Sequence, residues 1–225
     1  MELQKETQTA HGKWYDDACG TAFAMELVGE RWSLLILREL IFGPLRFSDL
    51  RAGLPGISAK VLTERLAGLE ASGVLTKRRL APPASAQVYE LTEWGYAADV
   101  AIMELGRWAA LSERHDPTLP LSPASLMMSF RTMIDHDAAL DLHADLGFAV
   151  AGQEFRARVR AGQLQICRED VAGAQAILRA PAAPFVAAHV YGGAALADLP
   201  GIEVEGDTGL LARFVAIVNL PPKIA

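Results

Sequence analysis

Cysteine is scarce in this chain: Cys19 and Cys167 are the two among 225 residues. Thiols that few and that far apart build neither a disulfide framework nor a zinc site, and both are expected to be reduced. His136, His143 and His189 lack the spacing of metal ligands, and the aspartates near the first two, Asp135, Asp137, Asp141 and Asp145, fit a polar helix side or loop. No metal is expected. Also missing are a nucleophile elbow, a phosphate-cradling Gly-Lys loop and a dinucleotide fingerprint. The sequence therefore nominates no catalytic residue and no cofactor, and does not read as an enzyme. No apolar run is long enough to span a bilayer, and the polar start from Met1 to Ala10 does not read as a signal peptide, so a cytoplasmic protein without a membrane partner is expected.

What is present is a basic stretch inside an acidic chain. The net charge is −6, yet residues 31 to 79 hold nine Lys or Arg (31, 38, 46, 51, 60, 65, 77, 78, 79) against four acids (39, 49, 64, 70), a local balance of +5. Such a patch suits docking on one duplex site better than coating nucleic acid indiscriminately.

The centre of that stretch is Ser58–Ser72. Gly53-Leu-Pro-Gly-Ile57 before it forbids a continuous helix from Phe47 onward. Ser58 is the candidate N-cap, Leu62, Leu66 and Leu69 recur on one side, and Gly73 supplies a stop. Stepping about 100° per residue puts Lys60, Thr63, Glu64 and Ala67 on the opposite face, with Arg65 flanking the leucines. A short helix with small, hydroxylic and basic residues near its N-terminal end is what a major-groove reader requires. Upstream, Trp32–Phe42 reads as the unit's central helix, and Phe47–Arg51 as one or two further turns. Downstream, Val74–Leu80 and Gln87–Leu91 read as strands of a wing, joined through Ala81–Ala86.

Tyr15–Val28 and Glu93–Leu111 read as helices on either side of this unit. The second carries Trp94, Val100, Ile102, Met103, Leu105 and Trp108, more apolar surface than one small domain buries. The two together read as a homodimer seam, because paired readers must meet half-sites about 34–36 Å apart.

Gly29-Glu-Arg-Trp-Ser-Leu-Leu-Ile-Leu-Arg-Glu-Leu40, Gly43-Pro-Leu-Arg-Phe-Ser-Asp-Leu50, Leu54–Leu66 and Tyr89-Glu-Leu-Thr-Glu-Trp-Gly95 resemble the HxlR-type winged helix-turn-helix regulators of prokaryotes over residues 17–112. The resemblance implies dimeric binding to a double-stranded operator, with repression as the default. It implies reader contacts from Ser58, Lys60, Thr63 and Arg65. Relatives often carry an arginine near the position of Ala86, absent here, so Lys77, Arg78 and Arg79, together with Arg46 and Arg51, become the phosphate-binding candidates. Some relatives sense oxidants or electrophiles through a cysteine where Cys19 stands. Two readings of Cys19 remain open, a redox sensor and a small apolar residue at the seam.

From Ser112 the chain passes through a Pro-rich connector into a second half. A helical pattern runs from Ala124 to about Asp141, after which the period becomes two: Phe148 and Val150, then Phe155, Ala157 and Val159, then Leu164 and Ile166, with turns at Gly152 and Gly162. Ala174–Ala180 and Ile202–Glu205 are expected as further strands, Pro184–Tyr191 and Thr208–Asn219 as helices. The domains expected are an arm (1–13), a winged-helix and dimerisation domain (14–112), a linker (113–124) and a smaller domain (125–225). The whole chain is α+β, its second part an antiparallel-rich five-stranded sheet packed by helices. That part resembles the sterol-carrier-protein-2-like (SCP2-like) fold in element order and in the Gly206-Asp207 hinge. The resemblance implies an apolar tunnel, for which Met127, Phe130, Met133, Phe148, Phe185, Leu211, Phe214 and Val215 are candidate lining; each can equally fill a core.

Arg156, Arg158 and Arg160 form a basic stripe on one sheet face, readable as an anion site or as a solvated face. Glu203 and Glu205 read as a carboxylate pair or an exposed edge. The reading these features jointly support is a homodimeric DNA-binding repressor controlled by a small apolar ligand. The alternatives are a lipid-binding or lipid-processing protein whose winged unit serves protein contacts or autoregulation, and a regulator that senses through Cys19.

Overall fold

A computed structural model describes residues 15–81 and 86–224. The expected arm, residues 1–13, and most of the wing tip lie outside the described residues. The chain divides into two compact units, the first running to Ala97 and the second from Ala98 onward.

The first unit is built on α2 (Ser33–Leu40), whose Ile36, Leu37 and Leu40 have no exposed surface. α1 (Gly20–Val28) precedes it; around it lie α3 (Phe47–Gly53) and α4 (Ala59–Ala71), with β1 (Leu75–Arg79) and β2 (Gln87–Leu91) pairing antiparallel from Leu75 opposite Leu91 to Arg79 opposite Gln87. Leu45 adds a short third rung, exchanging both backbone hydrogen bonds with Tyr89 at 3.0 and 2.8 Å. The approach of α3 to α2 is tight: a Cβ on Gly53 would stand 2.6 Å from Glu39 Oε2. α1 begins at Gly20 rather than at Tyr15, because Asp16 takes a positive φ of 52° and Asp17 Oδ1 accepts the Cys19 N–H at 2.9 Å.

The expected single helix over Glu93–Leu111 is two. α5 (Glu93–Tyr96) is one turn held against the wing: Thr92 Oγ1 donates to Gly73 O at 2.8 Å and accepts from the Gly95 N–H at 3.1 Å. A Cβ on Gly95 would collide with the Val74 carbonyl oxygen, so only glycine fits there. The second helix, α6 (Asp99–Ala110), belongs to the second unit, where Asp99 accepts two hydrogen bonds from the Arg131 guanidinium.

The second unit is α+β. α7 (Pro123–Met133) starts on Ser122, which accepts from the Ser125 N–H at 3.0 Å. It stops well short of Asp141, because the backbone beyond it pairs with residues 217–219: Asp135 N–H donates to Ile217 O at 2.8 Å and Asn219 N–H to Met133 O at 3.2 Å. β3 (Ala144–Val150), β4 (Gln153–Arg160) and β5 (Gln163–Cys167) form an antiparallel meander. Each hairpin turns on an Ala-Gly pair, 151–152 and 161–162, with positive φ at both residues, as a two-residue turn demands. β6 (Ala176–Ala180) pairs parallel to β3, and β7 (Glu203–Gly206) antiparallel to β6, giving the order β5-β4-β3-β6-β7. α8 (Ala183–Gly192) and α9 (Thr208–Ala216) complete the unit, α9 capped by Asp207, whose carboxylate accepts from the Leu210 N–H at 2.9 Å. Among the described residues, no helix is long and apolar enough to cross a membrane.

Candidate nucleic-acid interface

α4 arises where the sequence places it. Ser58 Oγ accepts from the Val61 N–H at 3.2 Å, and Leu62, Leu66 and Leu69 are buried. Burying that row leaves Lys60, Thr63, Glu64 and Ala67 exposed on the other side. The Lys60 side chain is 86% exposed, with its ammonium 3.9 Å from Glu64 one turn on, a surface pair too loose to immobilise it. Thr63 Oγ1 donates to Ala59 O at 2.9 Å and keeps its acceptor capacity outward.

Arg65 is placed differently. Its Nε donates to Arg31 O at 3.2 Å and its Nη2 lies 2.9 Å from Glu30 Oε2. It fastens α4 to the turn before α2, so within this fold it acts first as a brace. In that turn Trp32 holds a φ of +83°, and the Arg31 guanidinium stands 5.4 Å from the indole centroid. Nothing local announces this strained residue, because a tryptophan, unlike a glycine, does not advertise a positive φ.

The three basic residues of β1 do not share a face. Alternation sends Lys77 and Arg79 to one side and Arg78 to the other. Arg78 is bound to Glu90, which raises the guanidinium's pKa chiefly through that hydrogen bond. The Lys77 ammonium stands 5.6 Å from the Tyr89 ring centroid. Arg79, Arg46 and Arg51 are exposed, the last two at the beginning and end of α3. The exposed cations of the first unit thus include Arg46 and Arg51 at the ends of α3, Lys60 on the solvent face of α4, Lys77 and Arg79 on β1, and Arg31 in the turn before α2, with Arg65 and Arg78 tied to acids.

Cys19 is exposed at the start of α1, where the backbone N–H groups of Ala22 and Thr21 lower the thiol's pKa. α1 buries none of its residues and exposes Phe23 and Met25. In the second unit, α6 exposes Val100, Leu105 and Trp108 and buries only Ala110.

The candidate tunnel residues form a core. Met127, Phe130, Met133, Phe148, Leu211 and Phe214 are buried, while Phe185 and Val215 are half-buried. Three rings meet at its centre, with centroids 5.3 Å (Phe130–Phe148), 5.6 Å (Phe130–Phe214) and 5.8 Å (Phe148–Phe214) apart. Tyr191 adjoins them and donates to Ser129 Oγ at 2.8 Å, and burial pushes its phenol pKa far up.

The arginine stripe is no simple solvated face. Arg156 is buried, bonded to both Asp145 carboxylate oxygens and to Ala172 O at 2.7 Å; Arg158 is bidentate on Glu169. Glu205 accepts from Arg179 at 2.7 Å, which gives one of the two alternating glutamates a structural partner. His136 and His189 each place Nδ1 2.8 Å from a backbone carbonyl oxygen, of Gly162 and Ala194.

Comparison with known proteins bears on the first of these sites. Residues 27–116 match the HxlR-like helix-turn-helix family. The chain is 38% identical over 96 residues to the HTH-type transcriptional regulator YvaP of Bacillus subtilis, covering 42% of this chain and 86% of that one. The chain belongs to the HxlR-like family. It is a helix-turn-helix, DNA-binding transcriptional regulator. YodB of the same organism is 37% identical over 86 residues, covering 38% of this chain and 77% of YodB. A solved structure of the reduced form of YodB aligns at 35% identity, covering 44% of this chain and 98% of that one, with a TM-score of 0.39. As an HxlR-like regulator, the chain is matched through α6, and everything from α7 onward lies beyond the matched stretch, which ends at residue 116.

Proposed function

We propose that the protein is a homodimeric, cytoplasmic repressor that reads an operator with α4 and holds the flanking phosphates with α3 and the wing. The observation that carries this is the division of α4 into a buried leucine row and an exposed face bearing Lys60 and Thr63. The exposed apolar residues of α1, and separately those of α6, support pairing with a second copy, since large apolar side chains left in water on a helix face mark an interface. The winged-helix domain of this reading spans residues 14–112, with a linker at 113–124.

The second unit, on this proposal, is an SCP2-like ligand domain for a small apolar effector. Its sheet order, the Asp207 cap after Gly206 and the aromatic centre support that reading. A ligand between sheet and helices would have to part Phe130, Phe148 and Phe214. It would alter operator affinity only by its differential affinity for two arrangements of the dimer.

The test is selection of duplexes from a random pool, followed by binding of the selected duplex across a salt series. Lys60→Ala should weaken binding by about tenfold with unchanged thermal stability, because an exposed base- or phosphate-contacting lysine contributes roughly that much. Arg65→Ala should lower both affinity and stability, since it also releases the Glu30–Arg31 turn. Absence of any sequence-selective duplex, or indifference of a selected one to Lys60→Ala, would reject α4 as the reader.

A second reading, sensing through Cys19, is favoured by its exposure and lowered thiol pKa. Cys19 should then be alkylated by iodoacetamide faster than Cys167, which is also exposed, at neutral pH, as peptide mass spectrometry would record. Equal rates would leave Cys19 an ordinary thiol.

A further inference from the structure

We propose that the free edge of β5 is a docking site for an acidic peptide in extended conformation, which adds to the sheet as a sixth strand. The Ala161-Gly162 turn makes Arg160 and Gln163 a hydrogen-bonded pair, so the alternation along the ladder directs the backbone groups of Gln163, Gln165 and Cys167 toward β4. The N–H and C=O groups of Leu164 and Ile166 then point away from the sheet. β5 is the terminal strand of the order β5-β4-β3-β6-β7, and these groups face outward there.

The two edges of the sheet are not alike. β7 is four residues long and carries Glu203 and Glu205, the usual defences of an edge. β5 is Gln-Leu-Gln-Ile-Cys, with no charge, no proline and no bulge in its five-residue register. A groove of about 500 Å³ follows it, lined by all five of its residues together with Arg131, Arg158 and Arg160. A space that tracks a whole strand suits a chain better than a compact molecule.

Charge selects the occupant. Arg131 is bonded to Asp99 and Arg158 to Glu169, while Arg160, exposed, makes no ion pair among the described residues. With Arg131 and Arg158 neutralised by carboxylates of the chain itself, the unmatched charge beside this neutral edge is that of Arg160, and it favours a strand that brings a carboxylate to it. Pairing of β5 with β5 of a second copy would instead bring a second Arg160 to the seam and supply no carboxylate.

The probe is a fluorescein-labelled octapeptide alternating Glu and Val, titrated with the full-length chain and read by anisotropy. It should bind, and its basic counterpart, alternating Lys and Val, should bind at least about tenfold more weakly. Arg160→Glu should weaken the acidic peptide by about tenfold. Leu164→Pro should abolish binding, because it removes an outward N–H at an edge position where proline is tolerated. Should Leu164→Pro fail to fold, an acidic peptide N-methylated on alternate amides replaces it and should not bind. Equal binding of acidic and basic peptides, retention of binding by folded Leu164→Pro or by the N-methylated peptide, or no binding at all would overturn the proposal. So would sedimentation showing that Leu164→Pro merely dissociates a self-paired assembly.

Discussion

Phe214→Ala should lower the stability of the chain by about 3–5 kcal/mol, the range for deleting a fully enclosed ring when the surroundings cannot collapse into the space. Phe214 has no exposed surface and meets Phe130 nearly edge-on, at an interplanar angle of 78°, and Phe148 at 50°. Three mutually inclined rings contribute beyond their buried area, so the loss should exceed that of a lone phenylalanine. Phe214→Leu should cost less than half as much, because it keeps most of the apolar volume. Urea unfolding of the full chain, followed by circular dichroism, measures both. A loss below about 1 kcal/mol for Phe214→Ala would mean that the ring borders open space rather than a packed centre. The same measurement bears on the effector: a ligand that parts the rings should bind the alanine variant more tightly, since part of the opening is already made.

How much of this was legible beforehand differs by element, and the differences have physical causes. α4 was readable because every signal for it is local: a serine cap, leucines at i, i+4 and i+7, and a closing glycine. The meander β3-β4-β5 was readable for a similar reason, with alternation in the strands and glycine in each turn. Helix ends governed from a distance were not. The break at Ala97–Ala98 has no proline to announce it; Thr92 and Gly95 are fixed by the carbonyls of Gly73 and Val74, while Asp99 is held by Arg131. α7 ends at Met133 because its next residues pair with 217–219, some eighty positions along the chain. The parallel pairing of β3 with β6 is equally silent in sequence, since strand periodicity carries no direction.

At the candidate interface the same division recurs. Helical phase alone identified Lys60, Thr63 and Glu64 as exposed. It could not tell that Arg65 braces Glu30 and Arg31, or that Arg78 is occupied by Glu90. A basic residue's partner lies in the tertiary fold, so charge counts overstate the cations available to a phosphate backbone. The local balance of +5 over residues 31–79 includes both, and the outward charge rests on Lys60, Arg46, Arg51 and Arg79, with Lys77 beside Tyr89 and Arg31 beside Trp32.

The second large effect concerns Arg156, the one arginine of its stripe that is buried. Arg156→Met should destabilise the second unit by about 2–3 kcal/mol at pH 7, as expected when a hydrogen-bonded charge is removed and its partners lose their donors. Those partners are Asp145, which it binds through two nitrogens, and the carbonyl oxygens of Ala172 and Asp170. Methionine preserves much of the stem's packing, so the loss reads the guanidinium rather than its volume. The pH dependence separates charge from packing. The hydrogen bond from Arg156, aided by the charges of Arg156, Arg158 and Arg160, holds the Asp145 carboxyl below the usual range. A carboxylate with a depressed folded pKa stabilises the fold fully above its unfolded pKa, about 3.9, and ceases to do so as pH falls through the folded value. The gap between parent and Arg156→Met should therefore be widest near pH 7 and narrow as unfolding is measured at pH 5, 4 and 3. A gap constant across that series would assign the loss to packing, and the Asp145 charge would then have no part in holding β3 to β4.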